Sequence, residues 1–248
     1  MTLQEFFAEN PRAAIAFSGG VDSSYLLYAA VQCGADVHAY FAKTAFQPQF
    51  ELDDAQRLAE SVGAKLTVLE LDALSSEDVA RNPANRCYYC KQNIFGNLKR
   101  AAAEDGFTLI LDGTNASDDA GDRPGMRALR EMAVRSPLRE CGLTKAEIRR
   151  LSHEAGLFTW DKPAYACLAT RIRTGEEITL QKLKQTEKAE GFLFGLGFRD
   201  FRVRMVDNTA KLELRETDLP LLLENREKIV TELRKDYDSV LLNLEVRK

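Results

Sequence analysis

An apolar run, Ala13 to Phe17, passes without a linker into Ser18-Gly19-Gly20 and then into Ser23 to Val31, where apolar residues recur at helical spacing. Gly19 and Gly20 admit backbone conformations and close approaches that a Cβ would block. The leading N–H groups of such a helix have no intrahelical acceptor and carry the positive end of its macrodipole. Ser18, Gly19, Gly20, Val21, Asp22 and Ser23 therefore read as a cradle for an oxyanion. The turn lacks the Gly-Lys-Ser/Thr ending of a Walker loop and the glycine spacing of a dinucleotide fingerprint, which excludes both.

Strand-like segments at Ala13 to Phe17, Val37 to Ala42, Leu66 to Leu71 and Thr108 to Leu111 alternate with helix-like ones around Ser23 to Val31, Leu52 to Val62 and Cys90 to Ala103. This alternation predicts an α/β fold, a parallel sheet with helices on both faces. Ligands in such sheets sit beyond the carboxyl ends of the strands. Three loops are therefore expected to converge: Ser18 to Ser23, Lys43 to Phe46, and Asp112 to Asp119. In the third loop Gly113 permits close backbone approach beside Thr114 and Asn115. Its acidic pair, Asp118 and Asp119, is a candidate seat for Mg²⁺ shared with phosphate oxygens.

After Pro163 the pattern changes. A helix from Leu180 to Leu196 precedes a strand Phe201 to Val206, an Asp207-Asn208 turn and a strand Ala210 to Arg215. A long helix Leu219 to Lys235 and a strand Val240 to Val246 follow. This predicts a small α+β C-terminal domain, with a division into residues 1–165 and 166–248. A period of two puts Phe201, Val203 and Met205 on the core face and leaves Arg202 and Arg204 on the other. Two guanidiniums ~7 Å apart can clamp phosphate; equally, they can form a solvated face paired with acids such as Glu213.

A net charge of −4 over 248 residues argues against a general nucleic-acid surface. Met1 to Phe6 has no basic leader, and no run reaches the ~18 apolar residues of a membrane span, so the cytoplasm is the expected compartment. The five cysteines are too few and too scattered for a disulfide framework. Cys33 and Cys141 read as structural. Cys87 and Cys90 form a CxxC flanked by Arg86 and Lys91, and Cys167 precedes Arg171 and Arg173, surroundings that favour thiolate chemistry. Taken alone, the CxxC is open between a redox pair, half a zinc site and two incidental thiols. With Cys167 it makes three thiolates and leaves one corner of an iron-sulfur cluster open.

The Ser18 to Ser23 turn resembles the signature of the PP-loop ATP pyrophosphatases, whose fold is adenine nucleotide alpha hydrolase-like. Asn82 to Lys91, Lys162 to Ala169 with Arg171, Gly175 to Thr179, and Arg202 with Arg204 extend the likeness along nearly the whole chain. Together these segments are similar to the LarE-type ATP-dependent sulfur transferases of nickel-pincer cofactor synthesis. The resemblance implies ATP and Mg²⁺, and a pyridinium dicarboxylate mononucleotide that is adenylated with release of pyrophosphate and then sulfurated to a thiocarboxylate. It implies ATP contacts from the cradle, Lys43, Gly113, Thr114 and Asn115, and substrate-phosphate contacts from Arg202 and Arg204. Asp22, Cys167 and Glu190 take catalytic roles. Cys87, Cys90 and Cys167 would hold a 4Fe-4S cluster fed by a sulfide source, the alternative being sacrificial donation of sulfur by Cys167. A homo-oligomer, a hexamer within the family, is also implied. The rival readings are a tRNA thiolase, another PP-loop synthetase and a non-catalytic nucleotide-binding module.

Overall fold

A computed structural model describes residues 1–118 and 124–247, so Asp119 lies outside the described residues. In chain order the elements are α1 (Leu3–Glu9), β1 (Arg12–Ala16), α2 (Val21–Gln32), β2 (Asp36–Lys43), α3 (Gln49–Ser61), β3 (Lys65–Glu70), α4 (Glu77–Ala80), α5 (Arg86–Glu104), β4 (Ile110–Leu111), α6 (Pro124–Glu131), α7 (Pro137–Glu140), α8 (Lys145–Glu154), α9 (Leu180–Gly195), β5 (Arg202–Val206), β6 (Thr209–Glu213), α10 (Leu219–Glu224), α11 (Arg226–Leu233) and β7 (Ser239–Leu242). They divide into two units. The first is Met1–Ala73 with Asn85–Lys162, and the second is Leu74–Ala84 with Pro163–Lys248.

The first unit is built on a parallel sheet in the order β3-β2-β1-β4. Alternate residues of its strands enter different cores, as the pleat requires. Ala13, Ile15, Val37, Ala39 and Phe41 pack with α2 and α3, whereas Ala14 and Tyr40 pack with Phe95, Leu98 and Ala102 of α5. The chain leaves β1 toward β2 on one side and returns to β4 on the other. The gap between β1 and β4 is thus a topological switch point, where doubly wound sheets open a crevice. The fourth strand is shorter than the pattern Thr108 to Leu111 suggests, because its ladder to β1 pairs only Ala14 with Ile110 and Ile15 with Leu111.

The second unit carries a sheet in the order β5-β6-β7. Its antiparallel hairpin turns at Asp207 and Asn208, both with positive φ (45° and 59°), the geometry that matches the twist of paired strands. The expected helix Leu219 to Lys235 is two helices, interrupted at Asn225, and the crossover returns β7 parallel to β6. Phe201, Val203 and Met205 enter the core as their period predicts. The segment 74–84 joins this unit because Asn82, buried with φ 53°, donates to the Arg173 carbonyl at 2.9 Å and accepts from the Gly175 amide at 2.8 Å. No helix is long and apolar enough to cross a membrane among the described residues.

Candidate active site

A cavity of about 320 Å³ opens at the carboxyl edge of the first unit's sheet, over the switch point. One wall is the β1–α2 turn. Gly19 takes φ 68°, and a Cβ there would sit 3.1 Å from the Glu51 carbonyl oxygen. The turn is tied by its own serines. Ser18 N donates to Ser23 Oγ at 3.3 Å, and Ser23 Oγ donates to Gly20 O at 3.2 Å. Lys162 Nζ donates to Gly19 O at 3.2 Å and pairs with Asp54 at 2.8 Å. The side chains thereby hold the loop from within, and the first amides of α2 stay available for an anion. Val21 turns into the core.

The facing wall is the loop after β4. A Cβ on Gly113 would fall 2.9 Å from Ser23 N, so the two loops meet backbone to backbone. Asp112 fastens this loop. Its Oδ1 accepts from Ser136 Oγ at 2.6 Å and its Oδ2 from Thr114 Oγ1 at 2.6 Å. Thr114 and Asp118 line the cavity. Asn115 is buried beneath the loop, its Oδ1 accepting from Ser117 N at 2.8 Å. Lys43 does not line the cavity; it donates to the Gln47 carbonyl at 2.6 Å, and Gln47 is the residue of the loop after β2 that does. Phe17, Tyr40, Phe41, Ile94, Phe95 and Leu98 supply an apolar half suited to a flat base.

Asp22 is the most exacting group in the cleft. Its Oδ2 pairs with Lys145 at 2.6 Å, while its Oδ1 is buried with no hydrogen-bond partner among the described residues. Burial pushes the Asp22 carboxyl above its ordinary value, against the pull of Lys145. The Asp22 carboxyl lines a cavity that Asp118 also lines, and its buried oxygen without a donor fits an oxygen-ligated cation such as Mg²⁺. Two cations here escaped the sequence reading. Lys145 caps no motif, and its pairing with Asp22 exists only through the packing of α8 beside α2. Lys91 was noted only as a neighbour of the CxxC, yet it lines the cavity. Burial lowers its pKa, opposed first by Asp112.

Cys87 and Cys90 lie on the first two turns of α5, three residues apart and so on one side of the helix. Cys87 is exposed and Cys90 half-buried, and Arg86 Nη2 lies 3.6 Å from Cys87 Sγ. Cys167 belongs to the second unit, just before a 3-10 turn at Leu168–Arg171. In neither unit, among the described residues, do three His, Cys, Asp or Glu side chains form a metal-holding group. Arg171 does not offer a free charge to Cys167. Its side chain is fully buried and pairs with Glu190, Nε to Oε1 at 2.7 Å and Nη2 to Oε2 at 3.1 Å. Arg202 is buried as well, donating to the Ala164 and Phe201 carbonyls, while Arg204 pairs with Glu213 at 2.7 Å.

The fold and the cleft define a PP-loop α/β nucleotide-binding enzyme. Residues 8–116 match the asparagine synthase family. An uncharacterised protein of Synechocystis is 40% identical over 215 residues, 86% of this chain and 80% of its own. The pyridinium-3,5-bisthiocarboxylic acid mononucleotide synthase of Lactiplantibacillus plantarum is 35% identical over 217 residues, covering 87% and 79%. An uncharacterised protein of Methanocaldococcus jannaschii is 32% identical over 246 residues, covering 98% and 93%. The chain belongs to the LarE family of ATP-dependent sulfurtransferases.

Proposed function

We propose that the chain converts a carboxylate of a pyridinium mononucleotide into a thiocarboxylate, the type of product for which its Lactiplantibacillus relative is named. The observation that carries this reading is the cleft that Asp22 lines and in which the Gly113 backbone meets the N-terminus of α2. ATP lies with its base in the apolar half and its β and γ phosphates on the Ser18 to Ser23 amides. A substrate carboxylate oxygen attacks the α-phosphorus, the bond to the β-phosphate oxygen breaks, and pyrophosphate departs into the amide cradle. Mg²⁺ held by Asp22 and Asp118 would neutralise the phosphates. A sulfur nucleophile then adds to the acyl carbon, and the C–O bond to AMP breaks.

Cys87, Cys90 and Cys167 supply the sulfur chemistry. Their thiolates suit iron-sulfur ligation, and a 4Fe-4S cluster with three protein ligands would carry a transferable sulfide on its fourth iron. Arg202 and Arg204 hold the substrate phosphate. A separate sulfide donor and assembly as a homo-oligomer belong to the same reading.

Iron and acid-labile sulfide are measured in anaerobically reconstituted protein, beside pyrophosphate release and thiocarboxylate formation. Alanine at any of the three cysteines is expected to abolish cluster absorbance and sulfur transfer while ATP cleavage continues. Absence of iron together with loss of one sulfur mass from Cys167 per product sulfur would replace the cluster with sacrificial donation. Normal transfer by Cys167→Ala would overturn both.

A further inference from the structure

Glu190 sits on α9, pointing into the second unit, and its carboxylate is saturated. Oε1 accepts from Arg171 Nε at 2.7 Å and from the Val203 amide at 2.9 Å, and Oε2 accepts from Arg171 Nη2 at 3.1 Å and from the Tyr165 hydroxyl. Four donors occupy the sites that a carboxylate offers in its plane. Both partners of the ion pair are all but removed from water, at 0% and 2% side-chain exposure. A carboxylate so committed has no lone pair left to take a proton from a reactant or to bind a cation.

The remaining face of Arg171 points back at the cysteine segment. Nη1 donates to the Ala166 carbonyl at 3.0 Å and to Thr170 Oγ1 at 2.8 Å, and Thr170 Oγ1 in turn donates to the Cys167 carbonyl at 2.8 Å. The guanidinium lies 4.7 Å from the Tyr165 ring centroid. Residues 165, 166 and 170 are thus gripped by one planar, pre-organised fork, itself held by Glu190, and Cys167 is tied to that fork through the Thr170 hydroxyl.

We infer that Arg171, Thr170 and Glu190 form a positioning clamp that fixes the backbone carrying Cys167, and that Glu190 acts through Arg171 rather than on the reactants. The consequence for sulfur transfer rests on Cys167 being the sulfur-site cysteine. The clamp itself does not. Its role is to hold the thiol at one place and angle, since a misplacement of about 1 Å at a reacting group costs on the order of a hundredfold in rate.

The test uses the full chain with Thr170→Val, Glu190→Gln and the double variant. Thr170→Val is isosteric and leaves the buried ion pair in place. It removes both the donor to the Cys167 carbonyl and the acceptor of Arg171 Nη1. It is expected to lower the unfolding midpoint only modestly and to keep the wild-type rate of pyrophosphate release, while lowering sulfur transfer by at least about fivefold, the effect of losing such hydrogen bonds. The same variant is expected to change the rate of Cys167 alkylation by iodoacetamide, measured before iron reconstitution against exposed Cys33 as reference, by a similar factor. The double variant should transfer sulfur no more slowly than Glu190→Gln alone, because both substitutions cut the same chain of contacts. Multiplicative losses would show that Glu190 acts directly and would overturn its assignment. Unchanged Cys167 alkylation and transfer in Thr170→Val would overturn the clamp. Should Cys167→Ala transfer sulfur normally, the reading of Cys167 fails, and the alkylation rates still decide the clamp.

Discussion

The backbone of Gly113 lies so close to Ser23 that a Cβ on the glycine would fall 2.9 Å from the serine nitrogen and 3.1 Å from its Cα. Both atoms are backbone, on the first turn of α2, and neither can swing aside as a flexible side chain would. This contact joins the loop after β4 to the glycine turn after β1, across the switch point of the sheet.

Gly113→Ala is therefore expected to separate the two walls. Overpacking of this kind costs about 1–3 kcal/mol of stability, and displacement of the cradle costs about a hundredfold in ATP cleavage. Urea unfolding and pyrophosphate release, measured on the same preparation, check the two effects. Wild-type turnover in the alanine variant would show that the loop does not need this approach.

Asp22 couples stability to pH with a definite sign. Burial raises its folded-state pKa above the ordinary 3.8, so the folded state holds a proton that the unfolded chain has released. The stability tied to that proton is complete below the unfolded value and is lost as pH rises through the folded one. Asp22→Asn removes this dependence. Its melting temperature relative to wild type should climb as pH rises from 3.8 through the carboxylate range, while pyrophosphate release collapses. Parallel melting curves of the two proteins across that range would refute the linkage.

Arg202 donates to the Ala164 and Phe201 carbonyls from a buried position. Lysine keeps the charge and loses the planar fork. Arg202→Lys should weaken binding of the pyridinium mononucleotide about tenfold, as read by calorimetric titration. Arg204→Lys, at a side chain 41% exposed and paired with Glu213, should leave folding stability nearly unchanged. If both lysine variants bind the mononucleotide as tightly as wild type, these arginines serve the sheet and not the substrate.

Breaking the Arg171–Glu190 pair from one side leaves a buried carboxylate without its cation. Arg171→Met should destabilise the second unit by about 3–5 kcal/mol. Adding Glu190→Gln removes the stranded charge, and the amide can still accept from Val203 N and meet the Tyr165 hydroxyl. The double variant should recover a large part of the loss in urea melts. A double variant less stable than Arg171→Met would contradict this account.

The features legible in the sequence are those whose cause is local. The strand, turn and helix around Ser18 to Ser23 could be read because an apolar run, two glycines and a helical period follow one another directly. The parallel sheet could be read from the alternation of apolar strands and periodic helices, and the inward face of β5 from its period of two. The Asp207-Asn208 hairpin follows the same logic, since these side chains tolerate positive φ.

Other features depend on which distant segments the topology brings together. No local pattern places Gly113 against Ser23, Lys145 on Asp22 or Lys91 in the cleft, because each meeting is made by packing between elements far apart in the chain. Segment 74–84 joins the second unit through the tertiary bonds of Asn82, not through its neighbours in sequence. Alternation assigned Arg202 to the face opposite Phe201 and Val203, but whether that face meets water or protein depends on what covers it. In the folded chain the Ala164 carbonyl lies there, so Arg202 is buried and hydrogen-bonded. Periodicity sets the side to which a residue points, and only the tertiary structure supplies the desolvation and the partners that determine its charge and chemistry.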